Sequence, residues 1–318
     1  YFLNKYPNYK LINLDNLTYA GDLKNIKKLK THPRHTFVKG DISNRKHVEK
    51  IFKLHNIHHV INFAAETHVD NSIKKSDIFI KTNIMGTHTL IDVAYKNWMI
   101  KPFQFRKSFK DSRYLQVSTD EVYGSIKGKK LFSEKSSYSP NSPYSASKAS
   151  ADFIVRSYNK TYGINSIITC SSNNYGPMQN DEKLIPTIIK KALNKEPIPI
   201  YGNGKNVRDW MYVQDHCEAI DLVFHKGKKG ETYNVGSNCE LTNLQVVNKI
   251  CKYLNKLAPT KYNYLSLIKF VKDRPGHDKR YAIDSTKLKK ELGWKIKTDY
   301  NDGFLATVKW YLKKYGNK

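Results

Sequence analysis

Acidic side chains are scarce in this sequence of 318 residues, where 28 Asp and Glu stand against 55 Lys and Arg and leave a formal net charge of +27. Cysteine is scarcer. Its four copies, Cys170, Cys217, Cys239 and Cys251, form no C-x-x-C pair, which excludes a disulfide scaffold and a zinc-ribbon ligand set, so no metal is expected. The 16 Gly and 11 Pro are too few for a collagenous or low-complexity chain. No apolar run approaches the roughly 20 residues of a membrane span, and no basic-then-apolar leader opens the sequence. What remains is a globular chain, expected in the cytoplasm and without a membrane partner.

The charge surplus raises nucleic acid as a partner. Most of it is Lys, however, scattered among Asn, Ile and Tyr rather than gathered into a stripe, so we expect diffuse surface charge and no nucleic-acid function.

Short β-like runs alternate with helix-like ones through the first half, the pattern of parallel strands joined by crossover helices. Lys10 to Asp15, His35 to Lys39, His58 to Ala65, Arg113 to Ser118 and Asn165 to Cys170 read as strands. Asn44 to His55, roughly Asn71 to Trp98, and Ser145 to Tyr162 read as helices. The expected fold is an α/β doubly wound parallel sheet over residues 1–175, with returning segments from the C-terminal half. A smaller lobe over residues 176–318, where Pro177, Pro186, Pro197 and Pro199 break the rhythm, is expected to bind substrate. Asn243 to Asn255 and Asp302 to Lys313 look helical, and Glu231 to Val235 and Tyr281 to Ile283 look like strands returning to the first sheet.

Ligands of such sheets lie beyond the carboxyl ends of the strands. Asp15 closes the first visible strand, where an acidic residue either receives an adenosine ribose or caps a turn. The rule also asks for a glycine-rich turn about 20 residues earlier, yet Gly21 is the first glycine. The sequence is therefore expected to lack the first strand and phosphate loop of its sheet, with Tyr1 to Tyr6 resembling the tail of the helix that follows such a loop.

In P-Y-S-A-S-K, Tyr144 and Lys148 stand four apart at a helix start, which puts phenol and ammonium on one face. A cation there lowers a phenol's pKa from about 10. The spacing alone also arises by chance in a chain with 22 Tyr. Ser118 to Gly124 (S-T-D-E-V-Y-G) follows a strand and sets a hydroxyl beside two adjacent carboxyls. Adjacent carboxyls repel, so one is held as an acid while the other stays a base.

These blocks, with N-N-Y-G-P, E-K-L-I-P, Y-G-N-G-K-N-V-R-D-W and D-R-P-G-H-D, resemble the nucleotide-sugar 4,6-dehydratases of the extended short-chain dehydrogenase/reductase superfamily, in the family's order from Leu11 to about Trp310. The resemblance implies a dTDP-glucose lyase of deoxysugar biosynthesis that uses NAD and works as a homodimer. It implies Thr119, Tyr144 and Lys148 as the catalytic group, and Asp120 and Glu121 as the acid and base that remove water. It places NAD at Asp15, Asn16, Leu17, Thr18, Asp41, Ile42, Ala64, Ala65, Thr82, Tyr144, Lys148 and Asn174. The sugar nucleotide falls to His68, Thr119, Asn173, Lys183, Leu184, Tyr201, Arg208, Asn243, Arg274 and His277. His68 as a helix cap, Asp41 as a turn residue and Lys183 as a surface lysine stay open. So do a 4-epimerase, a decarboxylase, a UDP-glucose dehydratase and a non-catalytic sensor on this fold, although the Asp120–Glu121 pair favours elimination.

Overall fold

The computed structural model describes residues 1–316, and these cluster into two compact units. The first comprises Tyr1–Val122, Tyr138–Cys170 and Ile220–Tyr233, and the second Tyr123–Ser137, Ser171–Ala219 and Asn234–Lys318, of which the last two residues lie outside the described ones.

The first unit is α/β with parallel strands. A four-stranded sheet runs in the order Thr232–Val235, Ser166–Ser171, Arg113–Thr119, His59–Asn62, so the expected returning strand near Glu231 joins this sheet. Every residue of Ser166–Ser171 is buried, as a parallel strand covered on both faces should be. A separate parallel pair joins Leu11–Asp15 to His35–Lys39. Leu11 to Leu14 are only half-buried, and within the described residues Leu11–Asp15 and His59–Asn62 each pair on one side only.

The helix Arg45–His55 opens on Asn44, whose side chain accepts the His47 N–H, and closes on Asn56 in the left-handed region, both residues suited to those ends. The expected helix from Asn71 to Trp98 is not continuous. It divides into Val69–Lys74, Asp77–Phe79, a π-helical stretch Ile80–Gly86 and Thr87–Trp98. Gly86 lets the π stretch lie close: a Cβ there would meet the Ile42 Cδ1 at 2.5 Å.

The N-terminal segment is held by a polar and aromatic cluster. The buried Asp221 carboxylate accepts hydrogen bonds from Tyr1, Lys5 and Tyr6, while the Tyr6 and Tyr9 rings stack on each other and on His225. Burial works to raise the Asp221 pKa, but these donors outweigh it and the net shift is downward.

The second unit has a three-stranded sheet, ordered Glu240–Thr242, Val207–Tyr212, Asn173–Tyr175, and a parallel pair Ile198–Tyr201 and Ile268–Val271. Helices Leu184–Leu193, Asn243–Leu257 and Tyr300–Gly316 bury Ile185, Ile189, Val247, Ile250, Leu254, Phe304 and Tyr311 in one core. Tyr281 to Ile283 do not return to the first sheet as expected. Ile283 makes an isolated bridge to Phe132 within this unit, and the run is apolar because its side chains are buried.

Candidate active site

The strand Arg113–Thr119 ends in a 3₁₀ turn, Asp120–Tyr123. Thr119 and Asp120 are 9% and 2% exposed. The Thr119 hydroxyl accepts the Glu121 N–H at 3.3 Å and donates to Asp120 Oδ1 at 3.4 Å. Hydroxyl, acid and base candidates therefore share one corner.

The helix Pro143–Tyr162 faces that corner. Ser142 and Ser145 form a reciprocal capping box, Pro143 occupies the first turn, and Gly163 closes the helix at φ 72°. These are residue types that fix both ends of a helix. Tyr144, Lys148 and Asp152 recur every fourth residue on the buried face. Lys148 Nζ donates to the Val117 carbonyl at 2.6 Å, Ser118 Oγ donates to Asp152 Oδ2 at 2.6 Å, and the Thr119 hydroxyl acts on the Tyr144 phenol in the direction that favours its phenolate. Three successive strand residues meet three successive turns of one helix.

Burial pushes the Tyr144 phenol well above its usual range, and Glu121, Asp120 and Asp152 add to this against the Thr119 hydrogen bond. The expectation that Lys148 lowers this pKa is not met in the protein alone, because a fully buried phenolate beside carboxylates is costly. Burial also lowers the Lys148 pKa, against the charges of Asp152 and Cys170.

The residues assigned to a cofactor in this unit gather at strand ends. Asp15 terminates its strand and its Oδ1 accepts the Leu17 N–H at 2.7 Å, with Leu17 at φ 50°; Asn16 and Thr18 flank it, exposed. Asp41 follows the next strand and accepts both the N–H and the hydroxyl of Ser43 at 2.8 Å, so it does make a turn, while its Oδ2 lies 3.7 Å from Lys81. Ile42 is buried. The strand expected to reach Ala65 stops at Asn62, whose side chain accepts the Ala64 N–H, and Ala64 and Ala65 lie in the loop beyond. Asn83 fixes that loop through both backbone groups of Glu66 and the Ser147 hydroxyl, and Thr82 precedes it in the π stretch. His68 occupies an N-cap position without a side-chain cap, and its buried Nδ1 has no hydrogen-bond partner.

In the second unit, Tyr201 ends a strand and its ring lies 6.2 Å from that of His277. Arg208 is 5% exposed; its guanidinium donates to the Val207 and Asp278 carbonyls and covers the Tyr281 ring at 4.2 Å. His277 lies 2.6 Å from Asp273. Burial, then the charges of Arg274 and Arg208, lower its pKa, which puts the two arginines and the histidine in one cationic neighbourhood. Asn243 starts a helix whose cap is the Thr242–Gln245 box, and its N–H donates to the Asn206 carbonyl. Asn173 and Asn174 lie on a strand and each keeps a buried side-chain oxygen without a partner. Lys183 caps the helix that Leu184 begins and stands 3.5 Å from Glu182.

A cavity of about 520 Å³ in this unit, walled by Trp210, Asp215, Cys239 and Tyr300 among others, takes in none of the residues assigned to catalysis, cofactor or substrate. Among the described residues no cluster of His, Cys, Asp or Glu is suited to a metal, and no helix is long and apolar enough to cross a membrane. The sequence reading missed Asp152, although its spacing four residues after Lys148 was visible.

A family model for GDP-mannose 4,6 dehydratase matches residues 1–307. A dTDP-glucose 4,6-dehydratase of Xanthomonas campestris pv. campestris is 49% identical over 95% of this chain and 86% of its own length. A probable dTDP-glucose 4,6-dehydratase of Sinorhizobium fredii is 47% identical over 96% and 87%. Among solved structures, the dTDP-glucose 4,6-dehydratase of Bacillus anthracis in complex with NAD is 45% identical, with a TM-score of 0.85 over 99% of this chain and 92% of that one. The Streptomyces venezuelae enzyme with NAD and dTDP bound gives 39% and 0.88 over 98% and 90%. With the Asp120–Glu121 pair beside Thr119, the helix that carries Tyr144 and Lys148, and this similarity along nearly its whole length, the chain belongs to the dTDP-glucose 4,6-dehydratases.

Proposed function

We propose that the protein converts dTDP-glucose into dTDP-4-keto-6-deoxyglucose and water, with the residues of the first unit in the roles that follow. The observation that carries this reading is the corner in which the Thr119 hydroxyl is bonded to Asp120 and to the Glu121 N–H and works to lower the pKa of the Tyr144 phenol. A 4-epimerase needs the phenol but no adjacent carboxyl pair.

Several of the described residues suit NAD. In the first unit Asp15 and Asp41 offer carboxylates at strand ends, and in the second Asn174 keeps a buried oxygen that lacks a donor. NAD held there would supply a store for the hydride that leaves C4 and comes back at C6. Tyr144 takes the proton of the 4-hydroxyl, and Thr119 orients that oxygen. The 4-ketone acidifies the C5 proton, so Glu121 removes it while Asp120 gives a proton to the leaving 6-hydroxyl. Arg208 and Arg274 suit a diphosphate because a guanidinium presents a planar fork of donors; His68, Asn173, Lys183, Leu184, Tyr201, Asn243 and His277 complete the sugar-nucleotide set.

The reading includes a cytoplasmic homodimer. Four unbridged cysteines suit a reducing compartment. Ile80, Met85 and Phe153 expose 49%, 58% and 54% of their surface on two helical segments of the first unit, apolar area that a second copy would cover.

Incubation with dTDP-glucose and NAD tests the activity. Product carrying a C4 ketone and a C6 methyl, identified by NMR, is the expected result; return of dTDP-galactose or unchanged substrate would remove the dehydratase reading.

A further inference from the structure

We propose that Asp152 is a positioning residue of the reaction, the buried counter-charge that keeps Lys148 a cation behind Tyr144. The inference rests on the assignment of Tyr144 and Lys148 as working groups and adds a residue that assignment does not contain.

Lys148 is 4% exposed and Asp152 is fully buried. A single ammonium in such a place is costly and tends to lose its proton. Asp152 stands one helical turn beyond Lys148, close enough on the same face for its charge to act, and it is the first of the charges that favour the ammonium. The arrangement holds the carboxylate in turn. Asp152 Oδ2 accepts from Ser118 at 2.6 Å and from the Tyr138 hydroxyl at 3.0 Å. Arg156 donates to that same Tyr138 oxygen at 2.9 Å and lies over the ring at 4.8 Å. Asp152 Oδ1 is buried without a hydrogen-bond partner. An acceptor oxygen left bare in a packed interior is a cost, and the adjacent ammonium offsets it electrostatically.

The strand register makes the connection rigid. Val117 and Ser118 are bonded in turn to Lys148 and Asp152, and Thr119, next along the strand, acts on Tyr144, so a shift of the carboxylate is transmitted to both groups. Other titratable groups face the cluster: Tyr138 and Arg156 as described, Cys170 at 3.6 Å from Tyr138, Tyr114 on the strand, which feels Asp152, and Asp120 and Glu121, which act on Tyr144. Burial pushes the Asp152 pKa up to about 6, while Lys148, Ser118, Tyr138 and Arg156 work to lower it. The counter-charge is therefore complete at neutral pH and fails on acidification.

The test reads Lys148 directly. In the full chain with ¹³C at the lysine ε-carbon, the Lys148 signal is identified by its loss in Lys148→Arg. In Asp152→Asn it should titrate about one or more pH units lower than in the parent. The alkaline limb of C4 oxidation, followed as NADH in a single turnover, should move down with it, while substrate Kd stays within about twofold. Asp152→Glu should restore part of both shifts. Ser118→Ala keeps the carboxylate but removes one donor, so it should move the acid limb upward, and it covers the case in which Asp152→Asn does not fold. Unmoved Lys148 titration in a folded Asp152→Asn, or an unmoved acid limb in Ser118→Ala, would overturn the role. Undiminished oxidation in Tyr144→Phe would instead sink the assignment beneath it, whatever Asp152 does.

Discussion

At the scale of single residues, the proposed mechanism assigns oxidation and elimination to different atoms, which makes them separable. Tyr144→Phe removes the oxygen proposed to take the proton of the 4-hydroxyl, so NADH should not appear at all in a single turnover. Glu121→Gln and Asp120→Asn keep side-chain shape and leave Tyr144 and Lys148 in place. NADH should therefore form from dTDP-glucose, while dehydration slows by about 100- to 10,000-fold, the usual worth of a general acid or base. Solvent deuterium exchange at C5 should fall further in Glu121→Gln than in Asp120→Asn if Glu121 is the base. Normal dehydration in both variants would demote the pair to rim residues. This corner was legible in the sequence because its three residues are contiguous and follow a strand. Asp152 was not, because its partners Ser118 and Tyr138 lie 34 and 14 residues away in the chain. The direction of the Tyr144 shift was misread for a related reason: a spacing of four announces the cation, but the burial that outweighs it comes from the whole fold.

At the scale of elements, apolar periodicity located most strands and helices to within a few residues, since capped helices such as Pro143–Tyr162 carry their end signals locally. It failed where the pattern continues through a break. Residues 71–98 keep apolar side chains at helical spacing, yet the chain ends one helix at Lys75, restarts at Asp77 and widens to a π turn before Thr87. Nothing in a hydrophobic count distinguishes a π turn from an α turn. The π stretch and the helix Pro143–Tyr162 also carry the exposed Met85 and Phe153, and a dimer built on these segments has a direct test. Met85→Glu and Phe153→Glu each place a charge in the covered area, so light scattering should show monomer from either variant at concentrations where the parent is dimeric. Parent protein that scatters as a monomer would remove the dimer reading.

At the scale of the whole molecule, the two units carry opposite responses to acid. In the second, burial pushes the His216 pKa down to about 4, and burial with Arg274 and Arg208 also lowers that of His277. Unfolded, a histidine takes its proton near pH 6.5. Below that value the unfolded state binds protons that these two cannot accept while folded, so stability is complete above about 6.5 and is lost as pH falls toward 4. In the first unit Asp152 has the reverse sign. With a folded pKa of about 6 against roughly 3.9 unfolded, it takes up its proton first in the folded state and gains stability over nearly the same window. His59, also pushed down to about 4 by burial, opposes that gain, though only in part, because the residue stands exposed at the start of its strand, where water screens it. Acidification from pH 6.5 to 4 should therefore loosen the second unit before the first. Hydrogen exchange, corrected for intrinsic rates at each pH, should show protection of Asn243–Leu257 falling earlier than that of Ser166–Cys170. The slope for each uncompensated histidine is bounded by about 1.4 kcal/mol per pH unit. His216→Gln removes one proton difference, so it should flatten the decline in the second unit and leave the first unchanged. Equal loss of protection in both units, or a slope untouched by His216→Gln, would show that the acid response is not set by these buried rings.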